Sequence, residues 1–126
     1  MFMKGFDTLF LRMEPEKKFL QNLKTRWNDL LSEGQTLVFH KGQSIFYEGH
    51  NPYGIFVLSS GNVRFVSSRR CGTEHVWDSP SGKVLGLKIF FEDRPYCCDC
   101  VAKEDCEVVF ISKTQLSPFR LDSGHR

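Results

Sequence analysis

The chain has 126 residues, 40% of them apolar and 25% charged, with a net charge of +2. That length gives one domain with enough core to fold without a metal or disulfide staple. The composition excludes a disordered chain, the short apolar stretches exclude a membrane-spanning helix, and the small charge makes no case for nucleic acid or an acidic membrane surface.

Residues 1–34 read as helical. Phe6, Leu9, Phe10 and Met13 recur at helical spacing and suggest a short first turn. Pro15 suits the first turn of a second helix, along which Phe19, Leu20, Leu23, Trp27, Leu30 and Leu31 form an apolar stripe that Gly34 ends. The polar side mixes Lys17, Lys18, Lys24 and Arg26 with Glu14, Glu16 and Asp29, which fits a helix packed on a core rather than a basic membrane helix.

Residues 35–120 read as a second unit, with strands over 35–112. Turn signals recur at Lys41-Gly42, Glu48-Gly49, Ser60-Gly61-Asn62, Arg70-Cys71-Gly72, Ser79-Pro80-Ser81-Gly82 and Asp93-Arg94-Pro95. Between them lie β-rich runs at Thr36–His40, Ser44–Tyr47, Ile55–Ser59, Val63–Ser67, Glu74–Asp78, Tyr96–Ala102 and Cys106–Ser112. Short strands at this spacing predict a sandwich or small barrel. Ile55–Leu58 is continuously apolar and should be buried on both faces, whereas Val63 and Phe65 alternate with polar neighbours. Ser112 suits the N-cap of a last helical turn, Lys113–Leu116, which Pro118 should limit. A frayed tail, 121–126, is expected to follow.

The candidate chemistry is sparse. His40, His50, His75 and His125 form no His-x-His or His-Glu-x-x-His spacing, so no metal site is expected from them. The five cysteines are Cys71, Cys97, Cys98, Cys100 and Cys106, an odd count that, without a secretory signal, reads as cytoplasmic thiols. On a strand, Cys98 and Cys100 would share a face and Cys97 the other. The cluster reads first as small buried hydrophobes, and alternatively as a thiol- or metal-sensing site. Neither a nucleophile elbow nor a phosphate loop of the Gly-x-x-x-x-Gly-Lys type is present, and no catalytic residues or enzyme activity are expected.

Residues 36–112 resemble the cyclic-nucleotide-binding domain, the sensor module of the catabolite-activator family and of kinase regulatory subunits. Three segments carry the resemblance: Ile45–His50 with Gly54–Phe65; Gly82–Gly86 with Asp93–Pro95 and Tyr96–Ala102; and the last strand, Cys106–Ser112. The leading segment Leu9–Leu23 resembles the family's leading helices. The resemblance implies a mainly-β, eight-stranded β-roll of the jelly-roll type, with short helices before it and a short helix after it. It also implies a phosphate-binding cassette formed here by Gly86, Leu87, Lys88, Ile89, Tyr96, Cys97 and Cys98.

The family's cassette opens with Gly-Glu, whose Glu accepts from the ribose hydroxyl, and carries an Arg after the Pro that pairs with the cyclic phosphate. Here Gly86 is followed by Leu87 and Pro95 by Tyr96. Hydrogen bonds to charged groups contribute about 1.5–3 kcal/mol each, so losing both implies roughly a hundred- to ten-thousand-fold weaker binding. Lys88 or Arg94 could supply a substitute phosphate contact, although Arg94 lies in a turn that should face solvent. Leu87, Phe90 and Tyr96 are large enough to fill the pocket themselves.

The resulting expectation is a non-enzymatic regulatory or sensor module. It needs no cofactor and holds a cyclic nucleotide weakly or not at all. The alternatives are a protein-interaction domain with a self-filled pocket and the thiol or metal site at Cys97–Cys100. The partners expected are an unidentified small-molecule effector, a protein or a second copy of the chain. Neither DNA binding by this chain alone nor membrane binding is expected, because many bacterial relatives read DNA through a following helix-turn-helix and only eight residues follow Pro118.

Overall fold

The structure, a computed structural model, describes residues 15–67 and 76–121; the early turn at Phe6–Met13, the turn at Arg70–Gly72 and the first residues of the run at Glu74 lie outside them. The apolar stripe after Pro15 forms two helices rather than one, α1 (Pro15–Thr25) and α2 (Trp27–Glu33). The break is local competition for backbone carbonyls. Thr25 Oγ1 donates to the Asn22 carbonyl at 2.7 Å, and the Arg26 N–H turns back to Leu23 instead. The stripe survives the break, and Phe19, Leu23, Trp27 and Leu30 are all buried.

Gly34 ends α2 as expected, but for a reason of space. Its backbone is extended (φ −76°, ψ 172°), a conformation open to any residue. A Cβ there would stand 2.6 Å from Val109 Cγ1 and 2.9 Å from the Phe110 carbonyl oxygen. The helix end rests directly on the sheet, and only glycine fits between them.

Eight strands follow among the described residues, all paired antiparallel: β1 (Gln35–Phe39), β2 (Ser44–Phe46), β3 (Gly54–Ser60), β4 (Val63–Val66), β5 (Val76–Ser79), β6 (Gly82–Leu85), β7 (Asp99–Ala102) and β8 (Cys106–Ser112). They form a five-stranded sheet in the order β1-β8-β3-β6-β5 and a three-stranded sheet in the order β2-β7-β4. The expected eight-stranded roll is present. β6 is the strand that the β-rich runs did not include, since four residues between glycines carry little periodicity. The run at Tyr96 becomes strand only at Asp99, because the Tyr96 backbone is engaged elsewhere, as described below.

The two faces of the five-stranded sheet build two cores. Ile55, Val57 and Ile111 point to the helices and meet Phe19, Leu23, Trp27 and Leu30. Leu58, Cys106 and Val108 point into the roll and meet Phe46, Tyr96 and Cys100. This is the two-sided burial expected of Ile55–Leu58. Removing a large side chain from either core would cost about 2–5 kcal/mol.

The C-terminal helix is longer than expected. α4 spans Lys113–Leu121 and contains Pro118. Proline removes the N–H that would bond the Thr114 carbonyl, and Ser117 Oγ donates to that carbonyl at 3.2 Å instead. Ser112 caps the helix as expected. Its Oγ accepts from the Gln115 N–H at 3.2 Å, and Gln115 Oε1 accepts from the Ser112 N–H at 2.9 Å, a reciprocal capping box. Gln115 Nε2 also donates to the Glu33 carbonyl at 3.0 Å, tying α4 to the end of α2. Between β6 and β7 lies the short helix α3 (Leu87–Phe91).

Candidate ligand site

The cassette begins at Gly86, which caps α3 in the left-handed conformation (φ 78°). Glycine suits that position on two grounds. Positive φ strains other residues, and a Cβ would stand 3.2 Å from Cε1 of Tyr96. The Tyr96 ring therefore lies across the cassette glycine. It stacks on Phe46, with centroids 3.9 Å apart and planes 9° from parallel.

The Tyr96 backbone is clamped from the other side. Its N–H donates to the His50 carbonyl at 2.9 Å, and its carbonyl accepts from the Gly49 N–H at 2.8 Å. The loop after β2 thus holds Tyr96 out of the β7 ladder and over Gly86. Burial raises the phenol well above its ordinary pKa, so Tyr96 faces the roll as a neutral group.

The other cassette residues divide between the two cores. Leu87 and Phe90 are buried on the helix side with α1 and α2, whereas Ile89 packs toward the roll interior with Tyr96 and Cys98. Tyr96 is the large cassette side chain that occupies the roll interior. Cys97 is half-buried, and its carbonyl accepts from Ser67 Oγ at 3.0 Å.

The two candidate cations converge on one carboxylate. Lys88 Nζ lies 3.1 Å from Glu92 Oε2, and Arg94 Nη2 lies 2.8 Å from Glu92 Oε1. The hydrogen bond from Lys88, with the charges of Lys88 and Arg94, outweighs partial burial and holds Glu92 below its ordinary pKa. An anion drawing on either cation would compete with Glu92. Arg94 is exposed, as its turn position implied.

Cys98 and Cys100 share the roll-facing side, as their spacing implied. Burial, with Cys106 nearby, pushes the Cys100 thiol up to about 12. Cys106 lies 3.2 Å from both the Asn62 and Glu104 carbonyl oxygens and is buried. Among the described residues no group of three or more His, Cys, Asp or Glu side chains could hold a metal ion.

Beside the stack a cavity of about 240 Å³ opens between Phe46, Tyr47, His50, Tyr53, Phe56, Tyr96 and Phe110, with Ile45 and Asn51 at its wall. No Lys, Arg, Asp or Glu lines it. The sequence reading missed its aromatic members other than Tyr96. Phe46 to His50 stood in a matched segment, but the cavity depends on a β3–β8 register that brings Phe56 opposite Phe110.

An antiparallel roll with a Gly-initiated helix between β6 and β7 is the arrangement that the sequence resemblance implied. The cyclic nucleotide-binding domain model matches residues 36–121, more than half of the chain, and the chain belongs to that family. The N-terminal domain of a transcriptional regulator from Streptomyces coelicolor is similar at 18% identity and a TM-score of 0.58, over 79% of this chain and 72% of that one. A transcriptional regulator from Thermotoga maritima matches at 18% identity and 0.58, over 76% of each chain. The Thermus thermophilus catabolite activator protein matches at 21% identity and 0.58, over 79% of this chain and 50% of that one. The chain thus spans about half the length of the Thermus protein. At these identities the likeness is one of fold. No curated protein matches the chain. No helix among the described residues is long and apolar enough to cross a membrane.

Proposed function

We propose that this domain is a non-enzymatic regulatory module whose cassette is occupied by its own side chains and does not hold a cyclic nucleotide in the family's usual mode. The observation that carries this reading is the Tyr96 ring stacked on Phe46 across Gly86. A cyclic phosphate buried there needs a cation or several donors. Tyr96 offers one neutral hydroxyl where the family has a two-pronged guanidinium. Lys88 and Arg94 are already committed to Glu92. Leu87, buried on the helix side, cannot accept from a ribose hydroxyl.

Isothermal titration of the chain with cyclic AMP and cyclic GMP tests this. The expected result is no saturable binding tighter than about 100 μM. Micromolar or better affinity for either nucleotide would overturn the reading and make Lys88 or Arg94 the phosphate contact. The aromatic cavity supports a second reading, a sensor of an uncharged, largely apolar effector. A thermal shift with such a compound, and none with either nucleotide, would favour it over a pure interaction domain.

A further inference from the structure

β1 is the end strand of the five-stranded sheet. It is hydrogen-bonded to β8 on one side, and among the described residues no backbone partner lies along the other. Native edges are usually blunted by lysine, proline, a bulge or a covering segment. Gln35-Thr36-Leu37-Val38-Phe39 carries no charge and no proline, and its register against β8 is unbroken. Val38 is 62% exposed. Beside it runs a cleft of about 330 Å³, between Val38 and Phe39 on one wall and Gln43, Ser44 and Tyr47 on the other. Tyr47 is itself 50% exposed.

We propose that this edge is an interface between two copies of the chain, in which β1 pairs antiparallel with β1 of the second copy about a two-fold axis through Leu37. The two five-stranded sheets then continue as one. The strand is complementary to itself in this register. Thr36 stands opposite Val38 of the second copy, a β-branched pair on the exposed face, and Leu37 stands opposite its own counterpart. No like charges meet across the strand. Glu33, the last residue of α2, precedes β1, and Lys41 follows it with Asp105 3.7 Å from the neighbouring His40, so antiparallel pairing about Leu37 brings the Glu33 end of each strand to the Lys41 end of the other. Neither the Glu33 carboxylate nor the Lys41 ammonium has an ion-pair partner among the described residues. The Lys41 backbone N–H is held by Asp105 at 3.0 Å, which fixes the turn without using the ammonium group. The charges at the two strand ends, and the absence of charge between them, favour a second copy over an unrelated extended peptide.

Sedimentation velocity of the full chain across roughly 5–500 μM tests the proposal, in the range where a small interface dissociates. The expected result is a monomer–dimer equilibrium for wild type and a monomer at every concentration for Val38→Lys. That substitution is at an exposed position, so circular dichroism should be unchanged, thermal melting should match wild type at concentrations where wild type is monomeric, and Val38→Thr should still dimerise. Glu33→Lys and Lys41→Glu should each weaken the dimer several-fold, and the two together should restore it. A wild type that stays monomeric throughout, or a Val38→Lys chain that dimerises like wild type, overturns the interface. Failure of the paired charge reversal to restore dimerisation overturns the Leu37 two-fold.

Discussion

The ring of Tyr96 lies flat on the ring of Phe46, with centroids 3.9 Å apart and planes 9° from parallel. Phe46 comes from β2 and Tyr96 from the segment before β7, so the stack joins two regions of chain about fifty residues apart in sequence. It lies against Gly86, where a Cβ would stand 3.2 Å from Cε1 of Tyr96.

Phe46→Ala should therefore cost about 3–5 kcal/mol in urea unfolding, the range for an aromatic removed from a packed core. Tyr96→Phe keeps the stack and removes a hydroxyl for which no hydrogen-bond partner is found among the described residues. It should change stability by less than about 1 kcal/mol. Equal losses in the two variants would show that the hydroxyl, rather than the stack, holds the cassette closed.

Stability should fall on the alkaline side. The Cys100 thiol is pushed up to about 12 by burial and by Cys106. Below the ordinary thiol value of 9.0 the folded and unfolded chains both hold this proton, and stability is unaffected. Between 9.0 and about 12 the unfolded chain releases it first, so stability declines as pH rises. One such group contributes a slope of up to about 1.4 kcal/mol per pH unit. Cys100→Ala should flatten the decline in chemical unfolding measured from pH 8 to 11. An unchanged slope would place the effect on other groups, Tyr96 first.

The proline in α4 gives a third test. Ser117→Ala leaves the Thr114 carbonyl without the hydroxyl that replaces the missing N–H. The expected cost is about 0.5–1.5 kcal/mol. With Pro118→Ala in place the N–H returns, and Ser117→Ala should then cost much less. A double-mutant cycle reads this coupling, and strict additivity would argue against it.

Much of the fold was legible because turns and alternation are local signals. Val63 and Phe65 and the Ser112 cap follow from neighbours within a few residues, whereas Gly34 ends α2 against Val109 and Phe110, far along the chain. β6 was not, because Gly82–Leu85 gains its strand identity from pairing with β3 and β5. The break at Arg26 turns on a single threonine hydroxyl that periodicity does not register. The candidate site was half legible. Tyr96 and Leu87 stand out as departures from the family's motif, but Leu87 points to the helix core as part of α3, and Tyr96 points to the roll because Gly49 and His50 hold its backbone. That Glu92 engages both cations depends on side-chain directions that a charged turn does not reveal in sequence.

The side chain of Gln115 makes α4 a latch rather than a hinge. One end of its amide completes the cap of its own helix and the other holds the last turn of α2. Turning α4 by even one residue, about 100°, would carry that amide away from both. Gln115 therefore ties the end of the N-terminal helix pair to the first turn of the C-terminal helix. The side-chain amide resonance of Gln115 would report the state of both ends of the domain at once.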